Sequence, residues 1–356
     1  VNVTIELIEA RLRAPFVTAR TSLHARRLVV VSVEASDGHV GFGEAAPLEG
    51  YDVVSIDDVR AALEDCRPAL SRSDGEPREQ LLAECARVAV LPHAVAAIDL
   101  ALWDLAGRRA GKPVWCLLGA QTAPEVPVNA TIAAPDRAGA ASEAAAARAA
   151  GFSAIKLKVA TGDDAGRLAA VRAVAGPEME IRLDANGAWS VPEAVAALRA
   201  LAPAGVELCE EPVGGIEETA ELSAATDVAL AIDETSALPG ALDHRVCDAA
   251  CLKIARGGGI SGVKDAARRA RAAGYEVYLA STLDGPLGIA AALHAAAAIG
   301  PDRACGLATL QLFADRDDPL PARGGTIPVP PGPGLGDGLT AWYRKRDLPR
   351  FPSRHR

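Results

Sequence analysis

The chain has 356 residues, half of them apolar, with a formal net charge of −9 and a pI near 5.3. That length predicts a core unit of about 150 to 250 residues plus a second one, and the acidic balance excludes nucleic acid as a partner. Seven cysteines without a C-x-x-C pair exclude a disulfide framework and fit a reducing cytoplasm, with Cys247 and Cys251 read as small buried residues rather than half a zinc site.

Val1–Leu12 and Leu28–Ala35 alternate as strands, and Asp37-Gly38 is a hairpin signal leading into Val40–Glu44. Val1–Glu9 carries no basic stretch of the kind that opens a secretory signal. Amphipathic spacing predicts helices over Ile56–Leu70, Arg78–Val88 and His93–Ala110, the last stopping at Gly111 and Pro113. Residues 1–119 therefore form an α+β unit in this reading, which the family resemblance given below makes a capping domain. Glu49–Asp52 and Thr18–Ser22 are candidate lid loops, with Tyr51 as an aromatic over the site.

From Val126 apolar runs alternate with alanine-rich helical stretches. The runs are Val126–Ile132, Ala154–Val159, Glu180–Leu183, Val206–Cys209, Val228–Ile232, Ala249–Ile254, Glu276–Ala280 and Ala304–Leu307. That count predicts an α/β architecture, a (β/α)8 TIM-type barrel over residues 120–314. The Pro/Gly-rich segment 315–356 is expected to pack back on the capping domain, its basic ends at Arg344–Arg350 and the last four residues being solvated. No apolar run reaches the ~18 residues of a membrane helix. Ile289–Gly300 is short and interrupted by His294.

Charged residues stand at the ends of these runs. They are Lys156 and Lys158, Asp184, Glu210, Asp233 and Lys253, with gaps from Lys158 of 26, 26, 23 and 20 residues. Barrels of this type carry their chemistry at the C-terminal ends of strands. Asp184, Glu210 and Asp233 would then converge from successive strands on one hard cation, Mg²⁺ or Mn²⁺. Lys156 and Lys158 share a strand face, and two close ammonium groups lower each other's pKa, which suits a general base. Lys253 would approach from the opposite side. This constellation points to abstraction of a proton α to the carboxylate of a small-molecule substrate, with charge stabilisation doing most of the work. Asn186 and Arg182, beside Asp184, are candidates for orienting ligand or substrate, Arg182 being equally suited to a structural ion pair. Gly257-Gly258-Gly259 with Gly262 does not complete a phosphate loop, because Val263 stands where lysine is needed.

These residues resemble the enolase superfamily in its muconate-lactonizing subgroup. The resemblance runs through G-F-G-E-A-A-P-L (Gly41–Leu48), A-I-D-L-A-L-W-D-L-A-G (Ala97–Gly107), K-x-K, L-D-A-N, C-E-E-P, I-D-E and L-K-I-A-R-G-G-G. It implies metal ligation by Asp184, Glu210 and Asp233, Lys158 as principal base, Lys156 as its pKa-lowering neighbour and Lys253 as the opposing lysine. Tyr275–Thr282 lacks the histidine that racemases and acid-sugar dehydratases of the superfamily place there, and Gly306–Thr309 lacks the D-x-D of dipeptide epimerases. S-T-L-D-G-P-L-G (Ser281–Gly288) and G-L-A-T-L-Q-L (Gly306–Leu312) resemble o-succinylbenzoate synthases of menaquinone synthesis, with Ser281 and Thr282 as substrate contacts. The expectation is a Mg²⁺-dependent dehydratase, with N-acylamino acid racemase, dipeptide epimerase and muconate cycloisomerase as alternatives. A homo-oligomer is compatible with it.

Overall fold

The computed structural model describes residues 1–18, 21–120 and 124–344. Strands β1 (Asn2–Val17), β2 (Ser22–Glu34) and β3 (Val40–Ala45) pair antiparallel in that order. The hairpin closes at Asp37-Gly38, where Ala35 N–H reaches His39 O at 2.9 Å and Gly38 takes a φ of 84°. β1 and β2 run beyond the apolar alternation: an irregularity follows Arg11, and pairing resumes at Phe16↔Leu23. Residues 12–15 leave the β2 register and Pro15 brings no N–H, so the break in the alternation concealed this extension.

The helix from Ile56 is capped by Ser55, whose hydroxyl accepts from Asp58 N–H at 3.0 Å. It ends at Asp65 and restarts as Arg67–Leu70. Pro68 has no N–H to continue the ladder, which divides the single helix expected over Ile56–Leu70. Helix Pro92–Ala110 lies against β3 so closely that a Cβ on Gly41 or Gly43 would overlap the carbonyls of Ala101 and Ala97. Around it Val29, Val31, Val33, Ile56, Leu63, Leu70 and Ile98 form a core of their own.

The next strands are β4 (Glu125–Pro127), β5 (Ala130–Ile132), β6 (Ala154–Lys158), β7 (Glu180–Asp184), β8 (Val206–Glu210), β9 (Leu230–Ile232), β10 (Ala249–Leu252) and β11 (Glu276–Leu279). From β5 to β11 they form a curled parallel sheet of seven strands in chain order. The eighth run, Ala304–Leu307, makes single bridges instead of a strand. Cys305 N–H donates to Pro127 O at 2.7 Å and Gly306 N–H to Leu279 O at 2.8 Å, joining β11 to the stretch before β5. The first run is also divided, because β4 turns outward to pair antiparallel with β12 (Thr326–Pro328). After β9 a 3-10 turn, Glu234–Ala237, replaces the expected alanine-rich helix, and Pro239-Gly240 stops it from lengthening.

The tail crosses back over the N-terminal residues. Ala314 N–H donates to Arg11 O at 2.8 Å and Leu335 N–H to Asp104 Oδ1 at 2.7 Å. Residues 345–356, including most of the basic clusters, lie outside the described residues.

His294, fully buried on helix Pro286–Ile299, accepts from Trp115 N–H at 3.1 Å through Nδ1 and faces Leu335 O at 3.2 Å through Nε2. Burial pushes its pKa from 6.5 down to about 4. Between those values the unfolded chain takes up a proton that the folded chain refuses, so stability falls as pH falls. Denaturant melts at pH 7.5 and pH 5 are expected to show about 2 kcal/mol more loss in wild type than in His294→Gln. Equal losses would remove His294 as the cause.

Candidate active site

Strand alternation and register assemble the charged ladder. Lys156 and Lys158 lie on one face of β6, and Lys158 is in register with Asp184 of β7, which is in register with Glu210 of β8. Asp233 follows β9 and Lys253 follows β10. All six side chains are buried.

Lys156 Nζ lies 2.9 Å from Glu210 Oε1 and 3.1 Å from Asp184 Oδ2. Lys158 donates to Asp184 Oδ2 at 2.5 Å and to Asn186 Oδ1 at 2.9 Å. Lys253 donates to Asp233 Oδ2, whose other oxygen takes Arg256 Nη1 at 3.1 Å. Tyr278 O–H completes Glu210 at 2.7 Å. Burial alone would raise Asp184, but the Lys156 and Lys158 ammonium groups hold it well below the usual carboxylate range. Burial would likewise lower Lys156, and the Asp184 and Glu210 carboxylates override it, holding the ammonium well above the lysine range. The sequence expectation of two lysines depressing each other therefore fails for Lys156 here: its nearest charges are acids.

Among the described residues, one grouping of metal-type ligand atoms lies within 4.8 Å of one another: Glu210, Asp233 and Cys251. It is not the expected set, since Asp184 reaches it only through Lys156. Burial pushes the Cys251 thiol well above its ordinary value, which leaves it protonated and a poor ligand. Three buried carboxylates at adjacent strand ends, two of them already sharing one ammonium, are a donor set that fits a hard divalent cation.

Glu211, the second acid of C-E-E-P, was not singled out by sequence. It accepts from Asp233 N–H at 2.6 Å and Thr235 N–H at 3.0 Å, tying the loop after β8 to the loop after β9. Burial raises its carboxyl to about 8.

The pocket above the ladder is lined by Lys156, Lys158, Asp184, Asn186, Asp233 and Lys253, and on its outer side by Phe16, Leu23, Leu48, Tyr51 and Leu283. Ser281 and Thr282 also line it. The Thr282 hydroxyl is 2.9 Å from Asp284 Oδ1 and 3.2 Å from Ala46 O, so its polar end faces the capping residues. Tyr51 sits on a one-turn helix, Glu49–Asp52, with its hydroxyl against Thr18. Of the other candidate lid, residues 19–20 lie outside the described residues.

Of the two roles expected for Arg182, the structure shows the ion pair and not the orientation of substrate. Arg182 does not line the pocket but pairs with Glu207 through Nε at 2.7 Å, its ring partner being Tyr278. Two positions before Asp184 on a strand puts it on the same face, about 6.6 Å further down the barrel. Arg256 was overlooked although it stands in L-K-I-A-R-G-G-G. It bridges the two halves of the molecule, reaching Asp52 Oδ1 at 2.6 Å and Asp233 Oδ1 at 3.1 Å, while His93 Nε2 holds Asp52 at 3.0 Å.

Residues 1–119 match the family model for the mandelate racemase / muconate lactonizing enzyme N-terminal domain, and residues 139–341 match the enolase C-terminal domain-like model. The chain is 30% identical to L-Ala-D/L-Glu epimerase of Bacillus subtilis, covering 94% of this chain and 96% of the relative. It is 31% identical to muconate cycloisomerase 1-1 of Acinetobacter lwoffii, covering 94% of each. A dipeptide epimerase from Cytophaga hutchinsonii, solved with Mg and the dipeptide D-Ala-L-Val, superimposes with a TM-score of 0.85 at 25% identity, covering 96% of this chain and 98% of that one.

Removing Arg256 would leave buried Asp52 and Asp233 short of a counter-charge. Arg256→Met is therefore expected to lower the free energy of unfolding by roughly 3 kcal/mol. Equilibrium urea denaturation measures it, and a change under about 0.5 kcal/mol would mean that the bridge is solvent-screened.

Proposed function

This chain belongs to the mandelate racemase and muconate lactonizing enzyme family of the enolase superfamily, and from that premise we propose that it moves a proton on the carbon next to a substrate carboxylate. The carrying observation is the placement of two buried lysines, Lys158 and Lys253, on strands four apart in one parallel sheet, both lining the same pocket. Lys158 takes the α proton, and Lys253 returns one from the opposite face. The product is an inverted stereocentre.

Lys156 neutralises Asp184 and Glu210, and Asn186 fixes the direction of the Lys158 amine. A general base contributes only about 10² to 10⁴-fold, so stabilisation of the developing negative charge must supply the larger part. A Mg²⁺ or Mn²⁺ ion held by Asp184, Glu210 and Asp233 would supply positive charge for the substrate carboxylate. The Mg-bound dipeptide epimerase relative supports this choice of ion. The substrate class we infer is an N-acylated α-amino acid; because Gly306–Thr309 lacks the D-x-D of dipeptide epimerases, a simple acyl group fits better than an aminoacyl one. The epimerase relatives act on dipeptides by name, and the outer pocket offers mainly carbon from Phe16, Leu23, Leu48 and Leu283.

Dehydration to o-succinylbenzoate is the second reading. It uses the same first step and is favoured by the motifs that bring Ser281, Thr282, Leu283, Gly306 and Thr309 to the pocket wall.

Incubation in D₂O with Mg²⁺ and a panel of N-acylamino acids, dipeptides, a muconate and the cyclohexadiene precursor separates the readings. Deuterium in recovered substrate together with inversion supports the epimerase. An aromatic product without exchange supports the dehydratase. Lys158→Ala should lose about 10³-fold or more in turnover while keeping its far-UV circular dichroism spectrum, although loss of the ammonium beside buried Asp184 lowers its melting point; wild-type turnover in that variant would sink both readings.

A further inference from the structure

Ser281, Thr282 and Leu283 enter the pocket from the segment between β11 and helix Pro286–Ile299. That segment is under backbone strain, since Leu283 holds a φ of 60°, a left-handed conformation unfavourable for a branched side chain. Something has to over-determine it. The helix that follows has no cap of its own: Gly285 stands at the N-cap and Pro286 brings no N–H.

Side chains from two distant parts of the chain supply what is missing. Gly285 N–H donates to Glu44 Oε1 at 2.7 Å, and Leu287 N–H donates to the Tyr343 hydroxyl at 2.9 Å. That hydroxyl is in turn hydrogen-bonded to Glu44 Oε2. Glu44 belongs to β3 of the N-terminal sheet and Tyr343 to the tail, and both are buried. The fit leaves no room for a side chain on Gly285, whose Cβ would overlap the Glu44 carboxyl and the Tyr343 hydroxyl. Asp284 N–H closes the turn on Ser281 Oγ at 2.9 Å, and Arg26, from β2, donates to Ala46 O at 3.0 Å beside it.

We propose that Glu44 is a positioning residue for the substrate pocket: with Tyr343 it clamps the first turn of helix Pro286–Ile299 and so sets where Ser281, Thr282 and Leu283 meet the substrate. The proposal rests on the reading of that pocket as the substrate site. Glu44 reaches no pocket-lining residue of the ladder, so its effect falls on substrate fit rather than on proton transfer. Burial and the nearby Asp284 raise its carboxyl to about 8, so at neutral pH it keeps its proton and a glutamine reproduces its shape and bonding.

Steady-state kinetics on the substrate found for wild type, with hydrogen–deuterium exchange of the full-length protein, tests this. Glu44→Ala is expected to raise KM about tenfold, the effect of one lost buried hydrogen bond, with kcat within about threefold. Glu44→Gln should restore KM. Tyr343→Phe, which keeps the ring, should raise KM in the same direction, and it carries the test if the alanine variant does not fold. In both damaged variants the peptide spanning 281–287 should exchange faster while peptides of β6 to β8 do not change. Unaltered KM and exchange in Glu44→Ala and Tyr343→Phe would overturn the clamp, as would a fall in kcat with KM unchanged. Should wild type be inert on every substrate, the proposed function fails, and exchange over 281–287 still decides the clamp.

Discussion

Everything in this molecule is arranged around a charge problem: three carboxylates are held at the ends of adjacent parallel strands, where water is scarce. Asp184 and Glu210 are 1% and 0% exposed, and Asp233 is 1% exposed. Ionised acids in such a place repel one another and lose their hydration. The solution is a set of cations from both flanks, Lys156 and Lys158 on one side, Lys253 and Arg256 on the other. On the proposed function the same charges that make the array tolerable would also supply its chemistry, since a cation-rich pocket beside lysine amines favours a carboxylate that is about to gain a second negative charge.

The two halves of the molecule share this burden. The N-terminal sheet and helices provide the outer wall of the pocket through Phe16, Leu48 and Tyr51, and Asp52 reaches Arg256 across the junction. The charged ladder is thus organised by strand ends in the barrel, while the outer wall comes from segments whose placement depends on bonds between distant parts of the chain. Such an arrangement allows the outer wall to change without touching the ladder, which accords with relatives at similar identity being named for epimerisation and for cycloisomerisation.

The ladder was legible because strand periodicity leaves little choice. A charge ending an apolar run near the middle of a strand–helix repeat has one place to go. The long helix Pro92–Ala110 and the hairpin at Asp37-Gly38 were legible for similar reasons, periodicity in one and turn chemistry in the other. What escaped were features decided by partners rather than by pattern. Phe16 enters the pocket because β1 continues past an irregular stretch, residues 12–15, and regains its pairing with β2 at Phe16↔Leu23. Arg182 had two roles open from its spacing, and Glu207 on the neighbouring strand claims it one layer below the site. The eighth run could not be told from a strand by composition, since bridges to Pro127 and Leu279 satisfy it without a continuous ladder. The direction of the Lys156 shift depended on how near Asp184 and Glu210 lie, which spacing in sequence does not give.

The central claim is that Lys158 and Lys253 serve opposite faces of one carbon, and exchange of the α proton with each single variant tests it most directly. In D₂O, Lys253→Ala should wash deuterium into one antipode of the substrate only, and Lys158→Ala into the other antipode only, with racemisation lost in both. Exchange of both antipodes by either variant, or loss of exchange in both antipodes by both, would contradict a two-sided site.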